Sequence, residues 1–335
     1  MLDLSLIWAG IIAFGVLMYV VMDGFDLGIG ILFPFFPGEG ERDVMMNTVA
    51  PIWDGNETWM VLGGAGLFAA FPLVYSVVLS ALYMPIILMV IALIFRGVAF
   101  EIRFKAKRTK HLWDMAFIGG SIATALLQGI ILGAYIQGIT VVDQQFAGGG
   151  FDWLTPFSLF TGVGVLVAYA ALGCGWLILK TSHDLQRSMY RIMPKLGLLM
   201  LVIFGIVSAW TPIAHPAIAE RWFSSPQFFY FLPVPLLVLW FTYAIWQACL
   251  KQQQVKPFLY SLILLGLAFS GFIISLWPMI IPPNITIWDA AAPRSSQRFT
   301  LVGAAIVIPI ILSYTALSYW VFRGKLHVGD DGGYH

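Results

Sequence analysis

Long apolar runs separated by short polar breaks set the pattern of this chain. A hydrocarbon layer of about 30 Å takes roughly 20 helical residues. By that measure the runs near 5–34, 49–72, 74–99, 114–138, 155–180, 196–215, 227–250, 257–281 and 299–323 predict about nine membrane-spanning helices. The first run is long enough to tilt or protrude. No Lys or Arg precedes it, and it exceeds the apolar core of a secretory leader, so it reads as a first span. The predicted fold is all-α and polytopic, a single transmembrane domain over 1–335. Its spans form two four-helix bundles plus one peripheral helix, with 1–138 as the first bundle and 155–323 as the second bundle and last helix.

Composition agrees: 60% of residues are hydrophobic and 10% charged, against about 25% charged in soluble domains. The net charge of +1 gives no reason to expect a nucleic-acid partner. Cys174 and Cys249 fall in apolar runs without a second metal-ligating group at close spacing, and read as buried small residues. Placement of the basic residues is more informative than their sum. One set of breaks holds Arg42, the 103–110 cluster, Lys180 to Lys195, Lys251, Lys256, Arg323 and Lys325; the alternate set holds only Arg221, Arg294 and Arg298. Basic loops stay on the cytoplasmic side, which predicts an N-terminus outside and a C-terminus inside.

Against this background two acidic sequences stand out: Asp23-Gly24-Phe25-Asp26 near the end of the first run, and Trp53-Asp54-Gly55-Asn56-Glu57 near the start of the second. Carboxylates at membrane depth are costly and usually functional. The alternating topology brings Asp23, Asp26, Asp54 and Glu57 to one depth and returns Arg96, on the third span, to the same level. Each acidic pair is spaced i,i+3 and shares a helix face. Carboxylates that close are not all expected to stay ionised unless Arg96 neutralises them. Gly24 and Gly28 permit a close helix approach, Pro51 with Gly55 loosens the backbone, and Trp53 and Trp59 are candidate interface anchors.

Each feature also has an ordinary reading. Asp54 and Glu57 suit a helix start, Asp23 and Asp26 a structural salt bridge to Arg96, and Arg96 itself can snorkel to headgroups. Trp288-Asp289 echoes Trp53-Asp54 but suits an interfacial Trp with a capping Asp. Gly129, Gly133, Gly173 and Gly175 suit packing seams. His111, His183, His327 and His335 fall in inner loops or the tail and His215 at an outer helix edge. Haem between helices usually takes a His ligand, so the chain is not expected to ligate metal or haem.

The runs Met22-Asp23-Gly24-Phe25-Asp26-Leu27-Gly28-Ile29-Gly30, Ala50-Pro51-Ile52-Trp53-Asp54-Gly55-Asn56-Glu57-Thr58-Trp59, Ala69-Ala70-Phe71-Pro72 and Phe95-Arg96-Gly97-Val98 occur in that order. Together they resemble subunit II of the cytochrome bd-type quinol oxidases. Met115–Gly138, Ile287-Trp288-Asp289-Ala290-Ala291 and the last helix with Pro309 and Tyr314 extend the resemblance more loosely. The short outer loops resemble the cyanide-insensitive branch. The resemblance implies a bacterial inner-membrane respiratory oxidase passing electrons from quinol to oxygen. Its haem-bearing subunit I holds the b-type haems, with or without haem d, and the quinol site. Subunit II holds no haem, accompanies subunit I and in some members a small single-helix accessory subunit, and in some members carries a structural quinone among the membrane lipid. It also implies that Asp26 and Asp54 line a proton route from the cytoplasm, with Arg96 beside them and Asp23 and Glu57 at motif positions. The rival readings are a proton-coupled secondary transporter, which would call for a matching site in the second half, and a purely structural scaffold for subunit I.

Overall fold

The computed structural model describes residues 3–326. In chain order its elements are α1 (Leu4–Leu32) with a 3-10 turn at Phe33–Phe35, α2 (Glu39–Asn47), α3 (Trp53–Ala70), α4 (Pro72–Ala81), α5 (Tyr83–Arg103) and α6 (Lys110–Gln137). A hairpin of β1 (Val141–Val142) and β2 (Gln145–Phe146) follows, then α7 (Pro156–Lys180), α8 (His183–Ala214), α9 (Pro216–Phe223), α10 (Gln227–Phe231), α11 (Pro233–Leu250) and α12 (Lys256–Leu276). A second hairpin, β3 (Met279–Ile281) and β4 (Ile285–Thr286), leads into α13 (Arg294–Val321). The protein is an all-α polytopic membrane fold.

Eight helical segments are long and apolar enough to cross a membrane: α1, α5, α6, α7, α8, α10 continued by α11, α12 and α13. The missing one is α3. Its 18 residues reach about 27 Å at 1.5 Å each, but its first turns carry the acidic motif. It packs along α1, so among the described residues eight segments of spanning length stand against the nine that hydropathy predicts.

The expected third span, 74–99, is not one helix. Residue 72 is a proline that opens α4, and α4 stops at Ala81, four positions before Pro85, where the proline ring would collide with the Ala81 carbonyl. The ten-residue α4 is too short to cross and packs against both hairpins. The crossing is made by α5, 21 residues long. The basic residues 187, 191 and 195 lie within α8, whose 32 residues outrun the bilayer.

The centre of the fold is α7, which packs against α1, α6, α8 and α12, while α13 lies at the periphery, packed mainly on α1 and α3 with Tyr319 reaching Trp176 of α7. Small residues make the central seam. A Cβ on Gly28 would lie 1.9 Å from the Tyr169 carbonyl oxygen, and one on Gly173 would lie 2.5 Å from the Gly28 backbone. Gly129 and Gly133 allow the same approach of α6 to Gly162 and Thr161 on α7, and Gly175 admits Phe258 of α12. Cys174 and Cys249 are buried and free.

The two ends differ in chemistry. At the hairpin end the Trp288 indole donates to Asp3 (2.8 Å), and Thr286 donates to Asp289 through its backbone N–H (3.2 Å) and hydroxyl (2.5 Å). Trp288-Asp289 is therefore a local turn tied to the start of α1. At the basic end Arg103, fully buried, meets Asp114 and Asp43 (2.6 Å), and Arg42 meets Asp114 (2.9 Å). This network pins the amphipathic α2 across α5 and α6.

Candidate functional site

The site lies where α1, α3 and α5 meet, toward the basic end. Gly120 on α6 lets that helix close on α5, since a Cβ there would sit 2.9 Å from the Arg96 Cβ. Arg96 is fully buried, and one of its nitrogens, Nη2, stands 2.8 Å from Asp23 Oδ1 and 3.4 Å from Asp26 Oδ2. Nη1 donates to Glu57 Oε1. The guanidinium lies over the rings of Trp53 and Phe100, which stack on each other at 5.1 Å.

One guanidinium thus faces three carboxylates, a formal charge of −2 if all are ionised. Burial of uncompensated charge is costly, so this imbalance sets the cluster apart from an ordinary one-to-one salt bridge. Asp23 and Asp26 are 1% and 0% exposed, whereas the Glu57 side chain is 25% exposed. Glu57 therefore joins the enclosed pair to the surface.

Asn56 and Tyr319 complete the cluster. The Asn56 amide donates to Asp26 Oδ2 (2.8 Å) and to the Met22 carbonyl (3.3 Å), while the Tyr319 hydroxyl of α13 donates to Asn56 Oδ1 (2.9 Å). A second polar thread runs inward: Gln128 donates to the Tyr19 hydroxyl (2.7 Å), and Tyr169 donates to Gln128 Oε1 (2.5 Å). Gly24 makes room for the Tyr169 ring, which would meet a Cβ at 2.8 Å. Asp23 Oδ2, Asp26 Oδ1, Arg96 Nε, Ser121 Oγ and Thr124 Oγ1 are buried without a hydrogen-bond partner. Such groups are the usual hosts of buried water.

The structure thus brings together Asp23, Asp26, Glu57 and Arg96. It leaves Asp54 out: that residue lies exposed in the first turn of α3, because the face of α3 that meets α1 carries Asn56 and Trp59. Trp53 and Trp59 both pack against the cluster. Trp53 roofs Arg96, and Trp59 is fully buried with Tyr19 and Met22, edge-on to Phe14 at 5.8 Å. Pro51 precedes α3, so it ends the turn before the helix and does not loosen its interior. Gly55 has only ordinary contact with Tyr314. Arg96 does not snorkel, since its charge is spent inside. Tyr319, Gln128 and Tyr169 were not anticipated; a tyrosine on a peripheral apolar helix gives no local signal of a partner on α3.

His111 and His183 lie at helix starts and His215 between α8 and α9; His327 and His335 fall outside the described residues. Among the described residues no group of three His, Cys, Asp or Glu is placed to hold a metal.

Comparison with known proteins matches this architecture. The family described as cytochrome bd terminal oxidase subunit II matches residues 4–322. Cytochrome bd-I ubiquinol oxidase subunit 2 of Escherichia coli (strain K12) is 27% identical, covering 98% of this chain and 96% of that protein. Cytochrome bd ubiquinol oxidase subunit 2 of Bacillus subtilis (strain 168) is 28% identical, covering 97% and 98%. The solved structure of bd oxidase from Geobacillus thermodenitrificans has the same fold, with a TM-score of 0.80 at 14% identity over 97% of this chain and 100% of that one. A match running from the first helix to the last turn of α13 settles the family: the chain belongs to the cytochrome bd terminal oxidase subunit II family.

Proposed function

We propose that this chain is the haem-free partner of a haem-bearing subunit I in a quinol:oxygen oxidoreductase, and that its buried ion cluster conducts protons from the cytoplasm toward the oxygen-reducing haems. The names of its relatives, ubiquinol oxidase subunits, support the complex and the quinol substrate. The multi-pass fold and the family support the bacterial inner membrane as its place. The basic loops support an N-terminus in the periplasm and a C-terminus in the cytoplasm. In this reading the b-type haems, with or without haem d, belong to subunit I.

The observation that carries the proton role is the imbalance at Arg96: three carboxylates on one guanidinium, two of them enclosed and the third partly exposed. Reducing one oxygen molecule to water consumes four protons, and hydrocarbon conducts none. Exposed Asp54 and half-open Glu57 collect protons at the mouth; Asp26 and Asp23 hold them inside, with Arg96 keeping the cluster from accumulating charge. The buried hydroxyls and carboxylate oxygens without partners supply the seats for bridging water. The Asn56 amide is a positioning group, because an amide fixed as donor to Asp26 and acceptor from Tyr319 does not pass protons readily.

The test is Asp26→Asn in the purified complex. The proton role calls for intact haem bands and slowed quinol-driven oxygen uptake. Loss of haem would assign the cluster to assembly, and unchanged uptake with intact haem would end the proton reading.

A further inference from the structure

At the basic end, between the last turns of α7 and α13 and the turn before α3, lies a cavity of about 200 Å³ lined by Thr48, Ile52, Trp176, Lys180, Tyr319 and Arg323, among others. Among the described residues no acidic one lines it. Lys180 is 5% exposed, and its amine donates to the carbonyls of Phe322 and Gly324 (2.7 Å), which among the described residues leaves one of its three N–H groups uncommitted and no carboxylate opposite its charge. The Trp176 indole N–H is buried with no hydrogen-bond partner, although its ring is held firmly, stacked on Phe25 at 4.4 Å and beneath the Lys180 amine at 5.5 Å. Arg323, at the exposed rim, spends one nitrogen on the Trp320 carbonyl (2.6 Å).

The geometry points to a binding site for the phosphate of an anionic phospholipid. The donors supply two cationic groups and an unanswered indole N–H, and the remaining wall is mainly apolar, with Ile52, Leu179 and Phe322 beside the hydroxyl residues Thr48 and Tyr319, as a headgroup followed by acyl chain requires. Lys180 is the last residue of α7 and Arg323 follows the end of α13, two helices of membrane length. The cavity therefore lies at the level of the lipid phosphates, where Lys and Arg attract anionic lipid. Tyr319 borders both this cavity and the Arg96 cluster, but the lipid reading does not depend on the proton one.

Lys180 also ties down the end of α13, so Trp176→Phe and Arg323→Gln carry the test. The intact oxidase complex in mild detergent is titrated with phosphatidylglycerol, and bound lipid is counted by native mass spectrometry, with phosphatidylcholine and inorganic phosphate as comparison probes. The parent complex retains phosphatidylglycerol over phosphatidylcholine, and each variant loses affinity by about tenfold, as loss of a charge-assisted or unshared donor predicts. Equal retention in parent and variants overturns the site. Binding of inorganic phosphate that the same variants weaken, with no lipid retained, overturns the lipid in favour of a free anion.

Discussion

Arg96 on α5 holds Asp23 on α1 at 2.8 Å, Nη2 to Oδ1, with both side chains almost wholly shielded from solvent. Removing one partner of such a pair strands the other's charge, at a cost of about 3–5 kcal/mol. Arg96→Gln is therefore expected to melt at lower temperature and to yield less assembled complex. Arg96→Lys keeps the charge but gives up the planar fork that serves three carboxylates, and should fall between. A Gln variant as stable as the parent would remove Arg96 from its central place.

Enclosure ranks the carboxylates. Asp26 is fully buried and bonded to Asn56, whereas Asp54 is exposed and outside the Arg96 cluster. Losing a group that relays protons costs about a hundredfold or more where nothing substitutes, and less where water does. Oxygen uptake should thus fall at least about tenfold in Asp26→Asn and by a clearly smaller factor in Asp54→Asn. Equal losses in the two variants would make Asp54 at the mouth as indispensable as Asp26 and overturn the ranking by enclosure.

Tyr319 offers an independent check on the orientation of Asn56. With its hydroxyl gone, the amide loses the donor that holds Oδ1 away from Asp26, a neutral hydrogen bond contributing about 1 kcal/mol. Tyr319→Phe should slow oxygen uptake several-fold with haem content unchanged, and Asn56→Asp should do so more severely by adding a fourth carboxylate. Uptake unchanged in Tyr319→Phe would show that α13 has no hold on the cluster.

Much of the cluster was legible because membrane depth makes charge conspicuous. Asp23, Asp26, Glu57 and Arg96 are among the few ionisable residues within apolar runs, and alternating topology alone brings them level. Asp54 was misread because spacing gives the shared face of Asp54 and Glu57 but not which part of α3 meets α1; burial of Trp59 turns that face to Asn56 and leaves Asp54 outside. The break at Leu82 escaped notice because hydropathy runs unbroken through 72–103, and only the reach of Pro85 back to Ala81 marks it. The Tyr319–Asn56 contact joins residues far apart in sequence through tertiary packing, which no local pattern records. The same holds for Arg103, counted as loop charge until α2 folds across it.

The α1–α7 seam should be intolerant of even one methyl group. A Cβ at Gly28 would overlap the Tyr169 carbonyl, which is backbone and cannot swing aside. Overpacking of this kind costs typically about 1–3 kcal/mol, occasionally more. Gly28→Ala is expected to lower the melting temperature of the complex and reduce haem retention by parting the helices that carry Asp26 and Tyr169. Gly119→Ala, on α6 with open space around it, is the matched control and should be neutral or slightly stabilising. If the two behave alike, the close approach is not a constraint.

The hairpin end gives a pH prediction outside the membrane. The Trp288 indole N–H, followed by the amides of Leu6 and Ser5, holds the Asp3 carboxyl below its ordinary value of 3.8. These bonds favour the charged form in the folded state, so their contribution is fully present above 3.8 and is lost as pH falls through the lower folded value. The start of α1 is capped by this same carboxylate, whose Oδ1 accepts from Ser5 (3.1 Å) and Leu6 (3.3 Å). Trp288→Phe should therefore melt below the parent at neutral pH, and the gap should close in the acid range below 3.8. Melting curves across that range decide it: a gap that persists unchanged at low pH would mean that Trp288 acts by packing, through its edge-on contact with Trp277 at 6.0 Å, and not through Asp3.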